Sequence, residues 1–217
     1  VVVLEESIDS WGWKWNNNGA FTVKTMYNHL HQCSRPISFV AVVFPMRLVW
    51  KVKIPMNIKL FFWSLILDKI PSKELLRIRG FDLYVVCSMC GHLEERLFHL
   101  FLHCSLALKV WKCLTTSRRE GFEIILRSHT VKEALNDWPK RTNHNLGGRA
   151  WELLPYAIMW ILWITRNELI FRDKTFTIRG ICAKMKGVIY YWLGNWRGRQ
   201  NYHFNNFIHN WDDLVKV

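Results

Sequence analysis

Residues 87–104 read CSMCGHLEERLFHLFLHC, a run with four metal-ligand side chains in 18 positions. Cys87 and Cys90 are separated by two residues, a spacing at which two thiols on a tight turn hold one ion. His99 and Cys104 complete a C-x2-C-x8-H-x4-C array. The stretch therefore predicts a zinc site made of Cys87, Cys90, His99 and Cys104.

The ligand set indicates a structural zinc ion. Three thiolates and an imidazole favour zinc over magnesium or calcium, and all four positions of the tetrahedron are filled by protein. A catalytic zinc would need an open position for water. The identity of the histidine stays open, because His103 lies one helical turn after His99 and could replace either His99 or Cys104. His92 is too close to Cys90 to reach back.

The residues before the array predict a hairpin and three helices. Alternating Trp11, Trp13 and Trp15, an Asn-rich turn and the return through Phe21 and Val23 indicate an N-terminal β-hairpin over residues 11–23. Helices are predicted over residues 25–32, 56–68 and 72–79. Ser72 is the expected N-cap of the last of these, and Gly80 is expected to end it.

The residues from the array onward predict further helices. Apolar side chains at helical spacing predict one continuous helix over residues 94–114, starting inside the array, and long helices over residues 151–171 and 178–196. Residues 114–149 are polar, with Pro139 and Gly147-Gly148, and indicate a linker with one short helix near residues 131–138. The expected fold is mainly α: an N-terminal β-hairpin, a helical bundle and a small zinc-stapled turn.

The charge balance favours a polyanionic partner. Thirty Lys and Arg against 17 Asp and Glu give a formal net charge of +13. Such an excess attracts phosphate backbones and predicts weak, sequence-independent, salt-sensitive binding of RNA or DNA. The candidate phosphate contacts lie on the basic helical pair that precedes the array, at Lys51, Lys53, Lys59, Lys69, Lys73, Arg77 and Arg79.

The cysteine pattern and the length of the apolar runs indicate the cellular compartment of the protein. A C-x2-C array with a nearby histidine is typical of metal binding in a reducing compartment, so an intracellular protein, nuclear or cytoplasmic, is expected rather than a secreted one. Cys33, Cys113 and Cys182 stand alone and are predicted to be buried thiols. The apolar runs are too short to span a membrane. The chain is expected to be a fragment of a longer polypeptide.

Three segments in this order resemble a known family. They are WGWKWNNNGAFTVKTMYNHL, WKVKIPMNIKLFFWSLILDKIPSKELLRIRG and CSMCGHLEERLFHLFLHCSLALKVW. Together they resemble the reverse-transcriptase zinc-binding domain of plant LINE-type (non-LTR) retrotransposon polyproteins, over residues 11–113. The resemblance carries the family's zinc ligands onto Cys87, Cys90, His99 and Cys104. Residues 114–149 are then the linker, and residues 150–217 are similar to a helical segment that follows in such polyproteins.

The resemblance implies a non-catalytic accessory module that assists nucleic-acid binding, beside an upstream reverse-transcriptase domain. Polymerase and nuclease motifs are absent from the sequence: Asp212-Asp213 is the only adjacent acidic pair of the polymerase type, and Asn210 stands where an aromatic residue is needed. The competing hypothesis is a zinc-stabilised protein–protein interaction module with a Trp-rich docking face. An enzyme with an unrecognised site is the least favoured class.

Overall fold

The computed structural model describes residues 12–33, 45–141, 145–194, 200 and 202–216. In this part of the chain the fold is mainly helical, as predicted. Chain contacts divide it into two units, residues 1–44 and 45–217. The helices are α1 (Val23–Cys33), α2 (Met46–Val49), α3 (Met56–Ile66), α4 (Lys73–Ile78), α5 (Ser105–Leu114), α6 (Arg119–Arg127), α7 (Val131–Asn136), α8 (Leu146–Arg172), α9 (Ile178–Trp192), α10 (Phe204–His209) and α11 (Trp211–Lys216).

The predicted N-terminal β-hairpin is wrong, since the described residues of the first unit contain no strand. The Asn-rich turn does form: the Trp13 amide donates to the Gly19 carbonyl at 2.7 Å, and Gly19 has a φ of +66°. The second predicted strand does not form, because Thr22 caps a helix instead. The Thr22 hydroxyl accepts the Thr25 amide at 3.1 Å. Helix α1 therefore starts at Val23. Trp11 and residues 34–37 lie outside the described part.

Helices α3 and α4 form where the sequence places them. Ile58, Phe62 and Leu65 lie on one face of α3 and are buried, because a spacing of four and three residues returns side chains to the same side of a helix. The Ser72 hydroxyl accepts the Leu75 amide at 3.3 Å and caps α4. Gly80 takes a φ of +90° just after the helix. Local sequence is therefore sufficient for this pair.

The helix predicted over residues 94–114 is broken. Glu94 pairs with Val86 in an isolated antiparallel bridge, residues His99–His103 form a π-helical turn, and Cys104 is extended with φ −59° and ψ 138°. Only α5 continues as predicted. The Cys104 amide reaches the His99 carbonyl at 2.6 Å, and this wide turn is of the kind that interrupts α-helices at functional sites.

Residues 114–149, expected as a linker, carry two helices, α6 and α7. Their apolar side chains are buried, among them Ile125 and Ala134. Gly147, expected to lie in a flexible linker, instead allows two helices to pack closely. A Cβ at Gly147 would lie 1.8 Å from the backbone oxygen of Leu214 in α11, so only glycine permits this approach of α8 and α11.

Helices α8 and α9 lie beside each other, and Lys184 of α9 contacts Glu168 of α8 at 3.3 Å. Three fully buried tryptophans, Trp111, Trp151 and Trp211, lie in this core. Each indole donates to a backbone carbonyl, at 2.8, 2.9 and 3.1 Å respectively. Burying an indole without a partner would cost free energy, so these bonds let the large side chains contribute their full apolar area.

None of the described helices has the length and apolar character that crossing a bilayer requires.

Candidate metal centre

A short knuckle over residues 85–95 positions the first two thiols. The Cys87 amide donates to the Leu93 carbonyl at 2.7 Å, and the Gly91 amide donates to the Cys87 carbonyl at 2.8 Å. Gly91 has a φ of +73°, a conformation that glycine adopts without strain. The turn therefore places Cys87 and Cys90 on one side of the chain.

The π-helical turn and the break after it position the other two ligands. His99 begins the turn and Cys104 follows its last residue. The extended backbone at Cys104 ends the turn before α5 begins. A continuous α-helix would give the histidine and this cysteine a different relative direction, so the break belongs to the geometry of the centre.

The structure brings the four predicted ligands together. Their ligand atoms all lie within 4.8 Å of one another. The Cys87 and Cys104 sulfurs are 4.0 Å apart, and the Cys90 sulfur is 3.3 Å from Nε2 of His99. In a tetrahedral zinc site with bonds of about 2.3 Å to sulfur and about 2.0 Å to nitrogen, ligand atoms lie roughly 3.5–3.8 Å apart. The donor set and its spacing fit zinc.

Burial and hydrogen bonding shift the pKa values of three of these four residues. Burial, and then the nearby His103, lower the pKa of His99, which favours the neutral imidazole that a metal needs. The hydrogen bond between the two buried thiols raises the pKa of Cys87 and lowers the pKa of Cys104. Metal binding requires deprotonated thiols, so binding of an ion here would release protons from this pair.

The alternative histidines point elsewhere. Nε2 of His103 lies 3.2 Å from the carbonyl oxygen of Ile125 in α6. His92 is exposed, and its Nδ1 contacts the carbonyl oxygen of its near neighbour Cys90. The geometry therefore favours His99, although the ligand assignment itself stays a prediction.

The other cysteines differ from expectation in one case. Cys182 is buried as predicted, whereas Cys113 is exposed on the last turn of α5. Burial, and then the neighbouring Cys113 thiol, raise the pKa of Cys182 to about 12. The two thiols therefore do not stand alone. The side chain of Cys33 lies outside the described part.

The seven predicted phosphate contacts divide into two groups. Lys59 donates to the carbonyl of Trp50 at 3.0 Å, Lys73 donates to the carbonyl of Val86 at 2.8 Å, and Arg77 lies 3.8 Å from the Glu94 carboxylate. Lys59 and Lys73 thus bind the protein's own backbone, whereas the ion pair of Arg77 is long and exposed and contributes little. The side chains of the exposed remainder make no hydrogen bond or ion pair within the described chain: Lys51, Lys53, Lys69 and Arg79.

Sequence reasoning missed a buried ion pair next to the centre. Glu95 is the last residue of the knuckle and is fully buried, and its carboxylate accepts from Arg166 of α8 at 2.6 Å. Glu95 also accepts the amide of Lys73 at the start of α4. The sequence offers only the run Glu94-Glu95-Arg96, and nothing in this run distinguishes Glu95 from Glu94.

A comparison with known protein families shows what this region is similar to. Residues 21–111 match the family described as zinc-binding in reverse transcriptase. The resemblance found in the sequence is thereby confirmed. The matched segment, residues 21–111, contains all four cysteine and histidine residues of the cluster. Residues 21–111 are therefore similar to a zinc-binding module.

A curated relative extends the similarity beyond this segment. A protein of Arabidopsis thaliana named "Putative ribonuclease H protein" is 26% identical over 174 residues, which cover 77% of this chain. The aligned part is 26% of that relative, so the chain corresponds to about a quarter of its length. No solved structure matches the chain.

Proposed function

We propose that this chain is a non-catalytic, zinc-stabilised accessory module of a plant retrotransposon-type reverse-transcriptase polyprotein, and that it assists nucleic-acid binding. The observation that carries the zinc part is the cluster of four protein ligands within 4.8 Å. It leaves no position for a reacting water, so zinc there supplies stability and no reaction. We propose that the module acts in the nucleus or cytoplasm, because reducing compartments keep thiols of this kind free of disulfides.

Zinc would act by joining the knuckle to the π-helical turn and the start of α5. The knuckle is closed by one isolated bridge and a few backbone hydrogen bonds. Cys87 and Cys90 belong to it, whereas His99 and Cys104 bracket the π-helical turn. In domains of this kind the free energy of metal binding becomes folding free energy. The ion would therefore fix the knuckle against α5, and through Glu95 against α4 and α8.

The nucleic-acid part rests on charge. The net charge is +13, and the side chains of Lys51, Lys53, Lys69 and Arg79 are exposed and make no hydrogen bond or close ion pair within the described chain. Phosphates bound by such side chains release condensed counterions, which makes affinity fall steeply with salt.

The test is fluorescence anisotropy of the zinc-loaded chain with labelled single-stranded RNA and DNA at two salt concentrations. We expect binding that weakens steeply at the higher salt. Absent or salt-insensitive binding contradicts the nucleic-acid function and leaves the zinc proposal intact. Zinc content measured on the same sample tests the metal part separately.

One observation favours the competing hypothesis of a protein–protein module. Helix α3 and the residue after it expose an apolar stripe, with spacings of four, three and four residues: Met56, Leu60, Trp63 and Leu67. Such spacing forms one face of a helix, and contiguous exposed apolar side chains mark interaction sites. Because residues 21–111 match a family described as zinc-binding in reverse transcriptase, the partner we propose is the polymerase domain of the same polyprotein.

Calorimetry with that purified domain tests this alternative. The double variant Leu60→Ser/Trp63→Ser should abolish binding if the stripe is the docking face. Phe171→Ser is the control, because Phe171 is more exposed than either residue and lies on α8. Equal binding by both variants and the unaltered chain contradicts the docking hypothesis.

A further inference from the structure

A groove in the second unit provides a place for a strand of nucleic acid. It encloses about 1000 Å³ and lies between residues 47–55, residues 135–140 with the start of α8, and residues 191–194 at the end of α9. We propose that this groove, here called the basic groove, binds single-stranded nucleic acid. The proposal rests on the nucleic-acid function proposed above and gives it a location.

The lining of the basic groove is strongly cationic. Five cations line it, Arg47, Lys51, Lys53, Lys140 and Arg149, against one carboxylate, Glu152. The side chains of the first four are exposed and make no hydrogen bond or ion pair to any described residue. Cations that are not engaged by the protein's own carboxylates remain available to phosphates. Only two of the five, Lys51 and Lys53, belong to the set predicted from sequence.

Arg149 contributes a guanidinium group to the groove that is not fully hydrogen-bonded by the described residues. Its Nε atom is buried and has no hydrogen-bond partner among the described residues. Glu152, one turn further along α8, does not form an ion pair with it. Leaving a buried donor unpaired is costly, and a phosphate oxygen is a suitable acceptor for a guanidinium group.

Aromatic side chains distinguish the ligand class. Tyr191 is 75% exposed, Trp192 is half-buried, and both line the groove at the end of α9. Proteins that bind single strands combine a cationic groove with ring faces on which unpaired bases stack. In a duplex those base faces are already stacked. An acidic peptide would neutralise the cations but has no planar bases for the rings. Single-stranded nucleic acid uses both features.

The test uses the zinc-loaded full chain and fluorescein-labelled single-stranded RNA of roughly 12 nucleotides. Two cations that belong only to the groove are removed in Arg47→Gln/Lys140→Gln. The control Lys109→Gln/Lys112→Gln removes the same charge from exposed positions on α5. We expect the groove variant to flatten the salt slope by about 1.4, two contacts at roughly 0.7 each, and the control to keep the original slope.

A second pair of variants tests stacking. Tyr191→Ala should weaken RNA binding by about tenfold, whereas Tyr84→Ala should not, although Tyr84 is similarly exposed at 80%. Zinc content and thermal unfolding of each variant identify any loss of fold. Competition with a poly-glutamate peptide tests the other polyanion, and we expect it to displace RNA poorly.

The outcomes separate the two proposals. If the unaltered chain binds RNA but the groove variant and Tyr191→Ala bind equally well, the groove is overturned and the proposed function stands. Loss of binding only in Lys69→Gln/Arg79→Gln also overturns the groove and moves the site to α3–α4. If poly-glutamate displaces RNA as well as unlabelled RNA does, the groove is a general anion site and the proposal is overturned. If the unaltered chain binds no nucleic acid, both proposals fail.

Discussion

Arg166 of α8 donates to the Glu95 carboxylate at 2.6 Å, with 4% and 0% of the two side chains exposed. The residues are 71 positions apart. Glu95 also accepts the Lys73 amide at 3.0 Å, and its own amide donates to the Val85 carbonyl. A single buried carboxylate thus joins the knuckle, α4 and α8. It links the segment that matches the zinc-binding family, residues 21–111, to the helices that follow it.

Breaking this pair should destabilise the fold strongly. Arg166→Met leaves Glu95 as a buried charge without its partner, and we expect the free energy of unfolding to fall by about 3–5 kcal/mol. Urea unfolding with zinc present measures it. Arg172→Met is the control, because its pair with Glu168 is 3.9 Å long and Arg172 is 67% exposed. That variant should cost about 1 kcal/mol or less. Equal losses would contradict the role given to Glu95.

Zinc content should fall when a cysteine of the cluster is replaced, but not when a cysteine outside the cluster is replaced. Cys87→Ser should lose the metal and unfold the knuckle, because a hydroxyl is a poor substitute for a thiolate. Cys113→Ser should keep one zinc per chain, since Cys113 lies outside the cluster. Elemental analysis of the purified variants measures both. Similar zinc contents in the two would contradict the predicted ligand set.

Substitution of His99 and substitution of His103 should have different effects on zinc retention. We expect His99→Ala to reduce zinc retention against a chelator, and His103→Ala to retain the metal with only a modest loss of stability from the missing bond to Ile125. The reverse order would assign the fourth ligand to His103.

Two glycines should respond in opposite directions to alanine. At Gly147 the new methyl group would meet the Leu214 backbone oxygen, and we expect a loss of about 1–3 kcal/mol or more. At Gly187, inside α9, the nearest atom is 3.8 Å away, so alanine should stabilise by about 0.4–1 kcal/mol. Thermal unfolding of both variants checks the contrast, and stabilisation by Gly147→Ala would contradict the close approach of α8 and α11.

The capping box of α7 should contribute a pH dependence. Glu133 accepts the His129 amide at 2.8 Å, and this hydrogen bond is the main cause that lowers the pKa of Glu133 below that of an ordinary glutamate. The stabilisation is present above the unfolded-state pKa and is lost as the pH falls through the lowered folded-state pKa. A carbon-13 NMR titration of the folded chain should show this lowered pKa. In Thr130→Ala, which removes one lowering contact, the pKa of Glu133 should move upward, and an unchanged value would contradict the role of the cap.

The elements that could be predicted are those with short-range causes. The Cys-x2-Cys turn, the buried face of α3 and the Ser72 cap each depend on residues a few positions apart. Spacing in the sequence therefore carries their geometry directly. The hairpin failed because two local signals competed for residues 21–23. The Thr22 cap, satisfying a free helix amide, prevailed over strand alternation.

The sequence by itself determined that four metal ligands occur at zinc spacing, that the chain is mainly helical and that it is strongly basic. Tertiary structure decided how the helix predicted over residues 94–114 breaks at Cys104, which cations remain free in the described chain, and that Glu95 is buried against Arg166. It also gathered the lining of the basic groove from three distant segments. These features depend on contacts between residues far apart in the chain. No local pattern encodes such contacts, because their free energy exists only once the helices have packed.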